Sequence, residues 1–151
     1  MRCITDILLL IRGLDKLNNK CLEPVRKEYE LSQMEVIIMG FLHNNPGKDT
    51  VGDISSWRML PKGNVSQGVE SLIQKGFLER FPDKEDRRKI HLCITDKAKN
   101  MICGIDRARK EYNNQIFDGL SEEEQKMYFQ INGKILENVF KGLERREKDE
   151  R

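Results

Sequence analysis

The sequence is poor in the residues that most often carry chemistry. It has two histidines, His43 and His91, and four cysteines, Cys3, Cys21, Cys93 and Cys103, at irregular spacings with no Cys-x-x-Cys pair. Neither a zinc site nor a disulfide framework is suggested, and reduced thiols are expected. No nucleophile elbow, phosphate-cradling glycine loop or metal-ligand cluster is written in it, so no catalytic constellation can be assembled; an enzyme, a cofactor and a bound metal are all disfavoured. The apolar run Ile7 to Ile11 lies between Asp6 and Arg12, is too short to span a bilayer, and has no small-residue cleavage site after it. A cytoplasmic protein without a membrane partner is therefore expected. Charge of one sign is lacking too: 27 Lys and Arg against 25 Asp and Glu leave a net +2, so contact with nucleic acid would need a local arrangement of cations.

What is present is a globular composition, 38% hydrophobic and 34% charged over 151 residues, with both signs spread along the chain. One domain over 1–151 is expected. Helix starts are plain. Ser32 and Glu35 have capping-box spacing, Leu31 and Val36 fall at the staple positions, and Asn44-Asn45-Pro46-Gly47 closes that helix. Thr50 and Asp53 open a short helix by the same logic, and Ser121 with Glu124 opens a last one running toward Arg146. The segment after Thr95 reads as a long helix capped by that residue, and the first thirty residues read as helical with a break at Pro24.

Strand signals occur once. Phe77 to Phe81 and Ile90 to Thr95 alternate in period two, and Gly76 suits the end of the preceding helix, so the two runs form a hairpin whose tip is Pro82 to Lys89. Upstream, "MLPKGN" separates two short helices, and that order is a winged helix-turn-helix. In the second helix Val65, Val69, Leu72 and Ile73 make one apolar stripe. Gly63, Asn64, Gln67, Glu70, Ser71 and Gln74 face away from it, with Lys62 and Ser66 nearby. Asn, Gln and Ser have the hydrogen-bonding chemistry of a major-groove reader. Any surface helix has a polar face, so the face alone does not select DNA.

The run "SQGVESLIQKGFLERFPDKEDRRKIHLCIT" resembles the recognition helix and wing of the multiple-antibiotic-resistance regulator (MarR) family. The wing of that family carries an Asp-x-x-Asp-Arg-Arg-like tip, here Asp83 to Arg88, and a return strand ending in Ile-Thr, here Ile94-Thr95. "LSQMEVIIMGFL" is similar to the family helix upstream; the outer helices match by position and periodicity only. Glu85 stands where many relatives carry arginine. The resemblance implies a mainly α (α+β) fold, with a winged helix-turn-helix lobe at 31–95 and dimerisation helices at 1–30 and 96–148. It implies a wing arginine, Arg87 or Arg88, in the minor groove, where narrow A·T-rich DNA concentrates negative potential. Asp86 would orient that arginine, and Lys62, Arg80, Lys84 and Lys89 would meet phosphates, with Asn64, Ser66, Gln67 and Ser71 on the reading face.

The apolar positions Ile4, Ile7, Leu8, Ile11 and Leu14, with Tyr128, Ile131, Ile135, Val139 and Leu143 of the last helix, would be left exposed in a single chain. Pairing as a two-fold homodimer on double-stranded DNA is the implied use, with a small apolar or phenolic effector as a further ligand. A transcriptional repressor of pseudo-palindromic operators is the expectation; a winged module that docks a protein without specific DNA binding is the alternative. Cys3 or Cys21 is the candidate for oxidant sensing that the resemblance offers, whereas Cys93 and Cys103 read as small buried hydrophobes.

Overall fold

Two capping boxes, Ser32 with Glu35 and Thr50 with Asp53, set the frame of the middle of the chain. The computed structural model describes residues 4–86 and 88–149, with side chains for 6–86 and 88–146. Its elements are α1 (Ile4–Glu28), α2 (Gln33–Asn44), α3 (Val51–Arg58), α4 (Lys62–Gln74), β1 (Leu78–Pro82), β2 (Ile90–Ile94), a single 3-10 turn (Asp96–Ala98), α5 (Lys99–Ile116) and α6 (Glu122–Asp149). The chain divides into two compact units, residues 1–113 and 114–151.

At the start of α2 the Glu35 amide donates to Ser32 Oγ at 3.1 Å and the Ser32 amide returns a 2.6 Å bond to Glu35 Oε2. Thr50 and Asp53 exchange the same two bonds at 3.1 Å each, and the Thr50 hydroxyl adds a 2.7 Å bond to Asp53. Asp therefore closes the box here despite its shorter reach. Between α3 and α4 the chain turns through Met59, which is left-handed at φ 50°, while Ser55 accepts the Leu60 amide on its carbonyl and donates its hydroxyl to the Leu60 carbonyl.

The inner stripe of α4, Val65, Val69 and Leu72, is buried against Ile38, Met39 and Ile54. Gly68 lies in the same stripe, and a Cβ there would stand 2.6 Å from Ile38 Cδ1, so its missing side chain is what lets α4 approach α2 so closely. The helix ends in a Schellman turn: the Phe77 amide donates to Leu72 O and the Gly76 amide to Ile73 O, both at 2.9 Å, with Gly76 at φ 77°. The hairpin follows antiparallel, Leu78 opposite Ile94 and Pro82 opposite Ile90, and Leu78 and Leu92 extend the core to Ala98 and Met101 of the next segment.

Three local expectations change. Helix α1 runs through Pro24 unbroken; the carbonyl that loses its donor is that of Lys20, an exposed residue, where solvent can take the donor's place. Thr95 does not cap: its hydroxyl donates to Gly76 O at 2.7 Å and its amide to Phe77 O at 3.1 Å, closing the base of the hairpin, and a 3-10 turn starts the following helix. Cys93 and Cys103 are exposed rather than buried, because β2 turns Cys93 to the side opposite Leu92 and α5 turns Cys103 away from Met101 and Ile105. Cys21 is the buried thiol; burial, and then the Glu111 carboxylate, push its pKa up. Cys3 lies outside the described residues.

In the second unit Ser121 and Glu124 form the expected box, with bonds of 2.8 and 3.2 Å. Phe117 packs on Tyr128 and Phe129 with ring centres 5.5 and 5.3 Å apart.

Glu35 is also the one buried charged side chain among the described residues, 3% exposed. Lys75 Nζ lies 2.8 Å from its Oε1, Ser71 donates to the same oxygen at 2.7 Å, and Lys75 also donates to the Glu30 carbonyl at 2.7 Å. Burial alone would raise the carboxyl's pKa, but the bonds from Lys75, the Ser32 amide and Ser71 outweigh it and hold the pKa below its ordinary 4.5. The stabilisation is present above that value and is lost as pH falls through the lower folded one. Glu35→Ala should cost about 2–3 kcal/mol in denaturant unfolding at neutral pH, less than a wholly buried pair because Lys75 is 32% exposed. The difference from wild type should shrink below the folded pKa. For the thiols, alkylation followed by peptide mapping should label Cys93 in the native protein and Cys21 only after unfolding.

Candidate nucleic-acid interface

The outer side of α4 carries Lys62, Gly63, Asn64, Ser66, Gln67 and Gln74, all exposed. Two grooves flank it. The first, about 580 Å³, is lined by Lys62 and Ser66 of α4, Arg88 and Lys89 of the wing, His91 of β2, and the start of α3 at Thr50 and Val51. The second, about 440 Å³, is lined by Asn64 and Gln67 with Ser32 and Met34 of α2. The wing cations and the start of the polar helix therefore face one continuous surface. Asp49 and Asp53 line the same groove, so Lys62, Arg88 and Lys89 stand there beside two carboxylates.

Several expected residues have structural partners. Ser71 is half-buried and its hydroxyl proton goes to Glu35, which leaves it no free donor for a base. Arg80 Nη1 pairs with Glu70 Oε2 at 3.0 Å across the α4–β1 junction, neutralising the one acid on that stretch of the helix. Lys84, Asp86, Arg88 and Lys89 are exposed at the tip, and Arg87 lies outside the described residues. Asp86 was expected to hold an arginine side chain. Its Oδ1 accepts the Arg88 backbone amide at 3.1 Å, the two-residue reach natural to a short carboxylate in a turn.

The organiser of the tip is Asp83, which had been given no role. Its Oδ1 accepts the amides of Glu85 at 2.7 Å and Asp86 at 2.8 Å, and its Oδ2 lies 2.9 Å from His91 Nε2. The Asp86 amide, then His91 and the Glu85 amide, pull this carboxyl down to about 2. The Asp83 amide also donates to Lys89 O at 2.9 Å, so the loop is cinched at its base. On its other side the His91 ring meets Asp49 Oδ1 through Nδ1 at 2.7 Å, and it stacks on Phe81 with centres 5.6 Å apart. The Leu92 amide donates to the Asp49 carbonyl at 2.8 Å. Asp49 thus fastens the loop before α3 to the returning strand of the wing by both backbone and side chain. The Asp83 arrangement had a local signal, a turn aspartate two and three residues before the amides it accepts. The Asp49 contact had none, because the partners are 42 residues apart.

Known proteins place this geometry. A sequence profile of the MarR family matches residues 29–89. Uncharacterized HTH-type transcriptional regulator YkoM of Bacillus subtilis is 29% identical over 99 residues, 66% of this chain and 64% of that protein. The crystal structure of transcriptional regulator PA3341 superposes with TM-score 0.79 at 22% identity, covering 91% of this chain and 97% of the other. The Staphylococcus aureus MepR–DNA complex superposes at 0.71 and 18% identity, covering 91% and 99%. The chain thus spans just under two-thirds of YkoM's length while matching the fold of the solved regulators almost end to end. The profile lies on α2 through the wing, and curated relatives are named as HTH-type transcriptional regulators, so over residues 29–89 the chain is similar to the MarR family.

Proposed function

We propose that this protein is a homodimeric transcriptional repressor that binds pseudo-palindromic operators and is released by a small effector. The observation that carries the reading is the groove shared by Lys62, Ser66, Arg88 and Lys89: a duplex seated on α4 meets the wing cations in the same approach. Asn64 and Gln67 read base edges, Arg88 or Arg87 enters the minor groove, and Lys62, Lys84 and Lys89 take phosphates. Arg80, paired to Glu70, contacts phosphate only by exchanging partners. A fold neighbour, Staphylococcus aureus MepR, was crystallised with DNA, which supports the DNA-binding reading.

The lobe is 31–95, and the helices of 1–30 and 96–148 pair two copies. Along α1 the side chains from Ile7 to Ile11 are each more than half exposed, and on α6 Phe129, Ile131, Ile135, Leu136 and Val139 are exposed as well. Apolar area of this extent marks a protein contact. A two-fold arrangement sets the two α4 helices about 34–36 Å apart, one turn of B-DNA. For the effector, a cavity of about 180 Å³ lies within the first unit, where apolar Leu22, Ile37, Phe41 and Ile105 share the wall with Arg58 and Arg109. A single aromatic ring bearing a phenolate or carboxylate matches that lining, and it releases DNA if it prefers a lobe geometry that does not fit the operator.

Selection of duplexes from a random pool should return a two-fold symmetric motif, bound with an affinity that falls steeply with salt. Arg88→Ala should weaken that binding on the order of tenfold or more with the fold retained; unchanged affinity would remove the wing role from Arg88. Ile135→Glu should give a monomer in analytical ultracentrifugation and abolish tight operator binding.

A further inference from the structure

The loop before α3, the wing tip and the return strand meet at one imidazole. His91 Nδ1 lies 2.7 Å from Asp49 Oδ1 and Nε2 lies 2.9 Å from Asp83 Oδ2, so both ring nitrogens face carboxylates. The ring is fixed in its plane by Phe81, with 23° between the two rings. Asp83 cannot follow the ring if it moves, because its other oxygen holds the amides of Glu85 and Asp86. The same wall faces Asp53 of α3, Lys62 of α4, and Arg88 and Lys89 of the tip.

We propose that His91 is a positioning residue for DNA binding: by bridging Asp49 and Asp83 in its doubly protonated form it holds the wing tip at one offset from the starts of α3 and α4. This rests on the DNA-binding reading. A duplex that touches Lys62 and Arg88 together requires that offset, and the imidazolium sets it because it alone offers an N–H to each carboxylate. On losing a proton the ring keeps one N–H and turns a lone pair toward the other carboxylate. One bond then becomes a repulsion, and the tip is free to swing on its strands.

The working range follows from the two partners. Hydrogen bonds from His91 to Asp49 and then to Asp83 raise its pKa above the ordinary 6.5. The bridge is therefore complete below that value and is lost as pH rises through the folded one. Asp83, drawn down from 3.8 to about 2, contributes above 3.8 and fails only in strong acid.

The test uses the full chain, a ~30 bp duplex recovered from the random-pool selection, and fluorescence anisotropy at constant ionic strength from about pH 6 to 8.5. Wild-type affinity should fall on the order of five- to tenfold across this range. His91→Gln, which cannot become charged, should be flat and sit near the weak, high-pH limb. His43→Gln, removing the histidine paired to Asp106 on α5, should keep the wild-type slope. Circular dichroism melts establish that each variant is folded. Free of DNA, the His91 ring resonances should titrate above 6.5, with the Glu85 and Asp86 amides shifting in step. A flat wild-type profile alongside tight binding, or a slope retained in His91→Gln, would overturn the proposal while leaving the operator reading intact. If no duplex binds at any pH, the operator reading fails and the NMR titration decides the tether alone: tip amides that ignore His91 would sink it.

Discussion

A helix can be aimed at a partner only if its inner face is fixed, and here the buried carboxylate of Glu35 does much of the fixing. It caps α2 from within, receives Ser71 and Lys75 from α4, and through Lys75 is tied to the left-handed turn at Glu30. Such a charge is costly to bury and is tolerated because its lone pairs have partners and a cation beside it. The consequence is directional. Hydrophobic contact between α2 and α4 would tolerate sliding, whereas bonds from both Ser71 and Lys75 to one carboxylate specify a register. The unsubstituted Cα of Gly68 then sets how near the two axes come.

The second fixed relation is between α4 and the wing, and it uses other means. The Schellman turn at Gly76 and the Thr95 closure fasten the hairpin at its root, and Arg80 to Glu70 braces the flank. None of these controls the tip, which lies at the far end of five-residue strands. The tip is held laterally, by Asp49 reaching from the loop ahead of α3. The lobe is therefore triangulated: core packing, strand root and a polar strut together leave Lys62 and Ser66 of α4 and Arg88 and Lys89 of the tip lining one groove.

Much of this frame was legible residue by residue, because it is encoded within one turn of chain. Ser32 with Glu35, Thr50 with Asp53, the Val65–Val69–Leu72 stripe, Gly76 and the alternating strands all act on neighbours at most a few positions away. What escaped was partnership at a distance. Ser71 read as a free hydroxyl on a polar face, and its acceptor is 36 residues upstream. His91 was given no partner, since nothing near it in sequence discloses Asp49, 42 residues away. Cys93 and Cys103 were placed inside on the average behaviour of cysteine, which a strand's alternation and a helix's periodicity override.

The run from Ile7 to Ile11 has a topological implication. At about 100° per residue, five consecutive apolar side chains go all the way round the helix, and each of them is more than half exposed. A groove or a sheet covers one side of a cylinder and would leave the rest wet. Removing the whole girdle from solvent takes a socket, walls supplied from at least two directions, and elements that close as a socket must be threaded together rather than laid side by side. If the proposed homodimer closes that socket, entanglement of this kind would come apart slowly, and subunit exchange would then require partial unfolding rather than simple separation of faces.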